Sequence, residues 1–248
     1  MRPGNLPRWL AGWKGENMLI RIGLEVDPAQ HRTQAWALDF PGAFAYGRDE
    51  SEAMLNLPRA LLRYQHWVNQ HAGEQRLNIE DFDLRLVETW KVYSINDQYE
   101  PAADGYEVNA WFRDDWRPLS PEEVAFGQEL LTWSRSDLLL ITGELPPEKL
   151  DALYPGQRWS IRGILQHIAS AEWWYLDRLG LATSREALPA DAFECLAATR
   201  QQLQTVLPQL AGLRKVVGVE GEFWSPRKLL RRAIWHELDH IEHIIQLL

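Results

Sequence analysis

The chain has 248 residues, a formal net charge of -9, and 46% hydrophobic against 25% charged residues. This balance fits a soluble globular protein of one or two domains and excludes a disordered or fibrous one. An acidic surface disfavours nucleic acid and anionic membranes as partners, because the long-range field repels phosphates. Cys195 is the only cysteine, so neither an intrachain disulfide nor a multi-cysteine metal site can form, and a reducing cytoplasm is the expected compartment.

Residues 1 to 17 mix Pro3, Pro7, Gly12 and Gly15 with Trp9 and Trp13. They read as a flexible tail with no apolar run of signal-peptide length. No later apolar run is long enough to cross a bilayer, so no membrane span is expected. From residue 18 to about 115 the pattern is strand-like. Residues 18 to 25 (MLIRIGLE) and 33 to 40 (TQAWALDF) alternate apolar and polar positions, Pro41-Gly42 marks a turn, and residues 43 to 46 suit a short third strand. Asp49 or Ser51 can cap a helix over 52 to 70 whose inner side carries Met54, Leu55, Leu57, Leu61, Leu62 and Trp67. A returning strand follows over 84 to 93, then a turn-rich stretch over 96 to 105 and a last strand over 106 to 112.

This order resembles the HicB-like antitoxin domain, a small β-β-β-α-β module, over roughly residues 18 to 95. The residues that carry the resemblance are Asp39, Pro41 and Gly42 after the second strand, Gly47 after the third, and Glu52-Ala53 at the helix start. The same residues suit any β-meander leading into a helix. In that family the module binds a small ribonuclease toxin and usually precedes a DNA-binding segment. Here a different segment follows, which counts against both DNA binding and toxin neutralisation.

After residue 116 the period becomes helical. Four starts are signalled by caps: Ser120-Pro121 with Glu123, Ser160, Asp191, and Ser225-Pro226. They predict helices over 121 to 143, 161 to 179, 192 to 213 and 226 to 246, with Pro208 kinking or ending the third. The expected fold is therefore α+β with two domains: residues 18 to 115, including a linker, and a four-helix bundle over 116 to 248.

The histidines carry the chemistry. His236, His240 and His243 form one stripe along the edge of the fourth helix's apolar arc, and the one-turn spacing of His236 and His240 lets two imidazoles converge on one ion. His167 lies at the edge of the second helix's arc, formed by Ile161, Ile164, Leu165, Ile168, Tyr175, Leu176 and Leu179. Three neutral imidazoles from neighbouring helices would leave Zn²⁺, Ni²⁺ or Fe²⁺ with open positions. Hydrogen-bonded packing at a core edge is the competing reading. His243 reads as a group supporting the ligands, as a replacement ligand, or as a chain-end surface residue.

Residues 163 to 179 (GILQHIASAEWWYLDRL) and 224 to 244 (WSPRKLLRRAIWHELDHIEHI) resemble the second and fourth helices of the DinB-like superfamily. The resemblance implies a divalent metal on His167, His236 and His240. It also implies a transferase or hydrolase acting with a low-molecular-weight thiol on a small-molecule substrate, and a homodimer formed through helices. The alternative is a non-catalytic regulatory protein with a partner-binding HicB-like half and a structural metal. Glu172 and Glu237 fall inside apolar arcs, where an unpaired carboxylate is costly. They are candidate catalytic bases or imidazole acceptors, or else ion-pair partners of Arg162, Arg178 or Arg227. Trp174 is the expected aromatic wall of the site, and Cys195 carries no sign of a catalytic thiol.

Overall fold

The structure is a computed structural model that describes residues 18–79 and 81–248; the expected N-terminal tail, residues 1 to 17, lies outside the described residues. The first alternating segment forms β1 (Met18–Asp27) and pairs antiparallel with β2 (Arg32–Ala37), which pairs with β3 (Phe44–Gly47). After α1 (Glu50–Ala72) the chain returns as β4 (Phe82–Lys91), parallel to β1, giving the sheet order β3-β2-β1-β4. Ile20, Ile22, Leu24, Ala53, Leu57, Leu61 and Val68 are buried and form part of this unit's core.

The second strand ends at Ala37, three residues earlier than its alternation suggests. Asp39 is the reason. Its carboxylate accepts from the Arg21 backbone N–H at 2.8 Å and from the Arg21 guanidinium at 2.9 and 2.6 Å. The chain is thereby drawn into a turn that Gly42 closes at φ 93°. Asp49 caps α1 by accepting from Glu52 N–H, while Glu52 reaches back to Arg48 N–H at 2.7 Å. Of the expected inner side, Leu57 and Leu61 are buried, whereas Leu55 and Leu62 are exposed. The expected last strand of this half is also shorter. β5 (Tyr93–Ile95) pairs with β6 (Tyr106–Val108), and Phe112 then enters a 3-10 turn over Arg113–Trp116, where its N–H donates to Asp115 at 2.8 Å.

Gly47 and Ala53 belong together for a steric reason. A Cβ at position 47 would lie 2.2 Å from the Ala53 backbone nitrogen. Gly47→Ala should therefore destabilise the N-terminal unit by about 1–3 kcal/mol, the usual penalty for overpacking; a denaturation midpoint equal to wild type would remove that account.

Beyond residue 117 the chain is helical, with α2 (Pro121–Thr142), a short α3 (Pro147–Asp151) absent from the sequence expectation, α4 (Ile161–Asp177), α5 (Ala192–Val206) and α6 (Pro226–Leu247). Among the described residues this gives six α-helices, five of them in the C-terminal part. Each cap acts as expected: Ser120, Ser160, Asp191 and Ser225 accept from backbone N–H groups of α2, α4, α5 and α6. The third long helix stops at Val206, and Pro208 sits in a 3-10 turn over Leu207–Leu210. α4 packs on α5 and α6, and α2 on α6. Glu123 ties the starts of α2 and α6 by accepting from both Arg227 terminal nitrogens at 2.8 and 2.7 Å. Between α5 and α6 the chain forms a hairpin of β7 (Val217–Val219) and β8 (Glu222–Trp224), turning at Glu220 and Gly221, which both have positive φ.

The chain divides into two compact units, residues 1–117 with 218–223, and 118–217 with 224–248. The hairpin tip belongs to the first, where Tyr106 donates to Glu222 at 2.5 Å and Phe223 meets Trp111 at 5.7 Å between ring centroids. No helix among the described residues is long and apolar enough to cross a membrane.

Candidate metal centre

Helix α4 brings one histidine and α6 two. The caps at Ser160 and Ser225 set where each helix begins, and apolar burial sets how it turns. Ile161, Ile164, Leu165 and Ile168 are fully buried on α4, as are Leu229, Ile234 and Ile244 on α6. His167 lies beside the first set and is half-buried, His236 lies beside the second and is buried, and His240, one turn on, is half-buried. The packing of α4 on α6 brings all three together: His236 Nε2 is 3.0 Å from His167 Nε2 and 3.2 Å from His240 Nε2. One ligand atom from each of the three lies within 4.8 Å of the others.

The two separations at His236 suit a shared metal ion. With metal–nitrogen distances of about 2.0–2.1 Å, two ligating nitrogens lie roughly 2.9 Å apart at a right angle and roughly 3.4 Å apart at a tetrahedral one. The observed 3.0 and 3.2 Å fall between. Three Nε2 atoms facing one another cannot all be satisfied by sharing protons, whereas a cation uses every lone pair.

The environment keeps the rings neutral, the state that ligation requires. Burial, then the positive neighbours His240, His167 and Arg232, hold His236 well below the ordinary histidine value of 6.5. Burial, with His167 and His243 nearby, pushes His240 down to about 3. Burial and the Arg158 charge lower His167.

Aromatic rings border the cluster. Trp159 stacks on His167 with centroids 4.6 Å apart and planes at 27°, Tyr175 meets His236 edge-on at 6.1 Å, and Trp235 lies 5.8 Å from His236. Trp174, the wall expected from sequence, packs edge-on against Trp224 at 5.1 Å and beneath Arg178. Trp159 directly precedes the α4 cap Ser160. It reaches His167 because a residue just before the cap folds back over the second turn, which helical periodicity does not encode. His243 is half-buried and lies 2.8 Å from Gln157 Oε1 through Nε2, so it is not a bare chain-end residue.

Glu172 and Glu237 have partners other than Arg162, Arg178 and Arg227, which pair with Asp151, Asp177 and Glu123. The two glutamates share a buried network with Arg135 of α2 and Arg200 of α5. Glu172 accepts from Arg200 Nε at 2.8 Å, Arg135 Nη2 at 3.2 Å and Thr199 Oγ1 at 3.1 Å. Glu237 accepts from Arg135 Nε at 2.6 Å, Arg200 Nη2 at 2.7 Å and the Ser134 hydroxyl. Burial pushes the Glu237 carboxyl up, but Arg200 and Arg135 outweigh it and hold the group below the usual carboxylate value. Both arginines were missed in the sequence. The signal available was a basic residue at an inward position on each of the two remaining helices. Cys195 is buried among Ile164, Ile168 and Leu196, and burial raises its thiol.

No curated protein matches the chain. The HicB-like resemblance over residues 18 to 95 is not supported, since the family match found does not reach them. Residues 130–244, which carry all three histidines and both buried glutamates, match the family model of the DinB superfamily, so the C-terminal part of the chain is DinB-like.

Proposed function

We propose that α2, α4, α5 and α6 act as a DinB-like four-helix bundle that binds one divalent ion, Zn²⁺, Ni²⁺ or Fe²⁺, on His167, His236 and His240. The proposed activity is a transfer reaction with a low-molecular-weight thiol, in a reducing compartment. The observation that carries this reading is the convergence of three neutral imidazole Nε2 atoms from two helices. When bound, such an ion supplies Lewis acidity that makes a thiol or water nucleophilic near neutral pH. The chain's residues supply the rest. Burial holds the imidazoles deprotonated, and Trp159, Tyr175 and Trp235 form an aromatic surround against which an apolar part of a substrate can pack. Glu172 and Glu237, each with both carboxylate oxygens engaged, are assigned to holding the helices in place and not to moving protons.

The β-β-β-α-β order of residues 18 to 91 favours a second reading, in which the N-terminal half grips a protein partner and the ion only braces the helices. Elemental analysis of the purified protein should give about one first-row divalent metal per chain, and stripping followed by cobalt(II) should restore it. Added thiol should then produce sulfur-to-cobalt charge-transfer absorption. A metal-free protein that takes up no cobalt removes both readings of the site; cobalt bound without any response to thiol favours the structural role.

A further inference from the structure

Loop 152–160 carries an exposed charge, Arg158, next to the ring stacked on His167. Arg158 is exposed, and its guanidinium carbon sits 4.8 Å from the centroid of the Trp159 ring, which is itself stacked on His167. Cation–π contact with tryptophan holds a guanidinium without neutralising it. Among the described residues, no carboxylate pairs with Arg158. A second guanidinium, Arg232, is held over Trp235 at 4.3 Å, and that ring lies 5.8 Å from His236. Arg158 lowers His167, and Arg232 lowers His236. Three neutral imidazoles would leave the charge of a divalent ion uncompensated, and the Arg158 guanidinium adds to it. An exposed guanidinium next to such a site favours negative charge at short range, although the chain as a whole carries -9.

We propose that the ligand taken on the open side of the three-histidine site carries an anionic group, a carboxylate or a phosphate, and that Arg158 on its Trp159 platform binds that group. This rests on the metal reading above and adds the class of molecule the site accepts. An exposed guanidinium suits the role because its planar fork can reach both oxygens of a carboxylate while its stem stays in the loop.

The test uses full-length protein loaded with cobalt(II) and two probes of similar size, anionic 3-mercaptopropionate and neutral 2-mercaptoethanol, titrated by charge-transfer absorption at constant ionic strength. Wild type should bind the anionic thiol roughly tenfold more tightly than the neutral one, the scale of one charge-assisted hydrogen-bonded contact. Arg158→Ala should lose that preference while keeping its affinity for 2-mercaptoethanol, Arg158→Glu should reverse it, and inorganic phosphate should compete in wild type only. Equal affinities in wild type, or a preference that survives in Arg158→Ala, would overturn the proposal. So would a loss of 2-mercaptoethanol binding in Arg158→Ala, which would show the loop acting through Trp159 and His167. Failure to take up cobalt at all is a different result, and it strikes the metal reading itself.

Discussion

Arg200→Met lowers the unfolding free energy by about 3–5 kcal/mol, the range for breaking a buried ion pair from one side. Arg200 is the centre of the α2–α4–α5–α6 network, donating to Glu172, to Glu237 and to the Leu131 carbonyl. Its removal leaves two buried carboxylates facing one remaining guanidinium, Arg135. Arg200→Met with Glu172→Leu restores neutrality and should recover part of the loss, because an apolar replacement of a whole pair costs less than an orphaned charge. Chemical denaturation of the two variants decides it. If the double variant is no more stable than the single one, the damage comes from lost volume and not from uncompensated charge.

His236→Ala removes the central ligand of the proposed ion, since His236 Nε2 is the atom within 3.0 and 3.2 Å of both others. Most of the metal affinity should go with it. Metal added to stripped wild type should raise the melting temperature by mass action, and the same addition to His236→Ala should leave it unchanged. A control belongs in the other half: His31 is exposed at φ 48°, so His31→Asn, which tolerates that backbone, should keep full metal content. Equal metal in wild type and His236→Ala after the same dialysis would refute the site.

The metal-free protein also has a defined response to acid. All three histidines are lowered in the fold, so below pH 6.5 the unfolded chain takes up protons that the folded one refuses, and stability falls with pH. For His240 the loss continues to about pH 3. Glu237, also lowered, adds its own loss only as pH falls below its ordinary 4.5. Between pH 6.5 and 4.5 the histidines therefore dominate, and melting temperature should decline there in stripped wild type and less in His240→Gln. Bound metal should be retained somewhat below pH 6.5, because the folded site already resists protonation.

Much of this was legible because caps and periodicity are local. Ser120, Ser160, Asp191 and Ser225 mark the helix starts, and the arcs through Ile164 and Leu229 orient them, so histidines at arc edges on α4 and α6 were identifiable as neighbours. What stayed hidden was set by contacts distant in sequence. Arg135 and Arg200 meet Glu237 across separations of 102 and 37 residues, and nothing in their own helices marks them as its partners. Asp39 ended β2 through Arg21, eighteen positions away. The loop that lays Trp159 on His167 has no period to read.

Two neighbouring residues on α6 answer to different surroundings, since His236 faces the imidazole cluster and Glu237, the next residue, is gripped by two guanidiniums from α2 and α5. A swivel of helix α6 about its long axis would pull Glu237 from both arginines, so the network that joins the helices also holds the orientation of His236. His167, on α4 with Trp159 stacked over it, is not tied down in this way, so any ligand of the proposed centre is expected to come and go on that side.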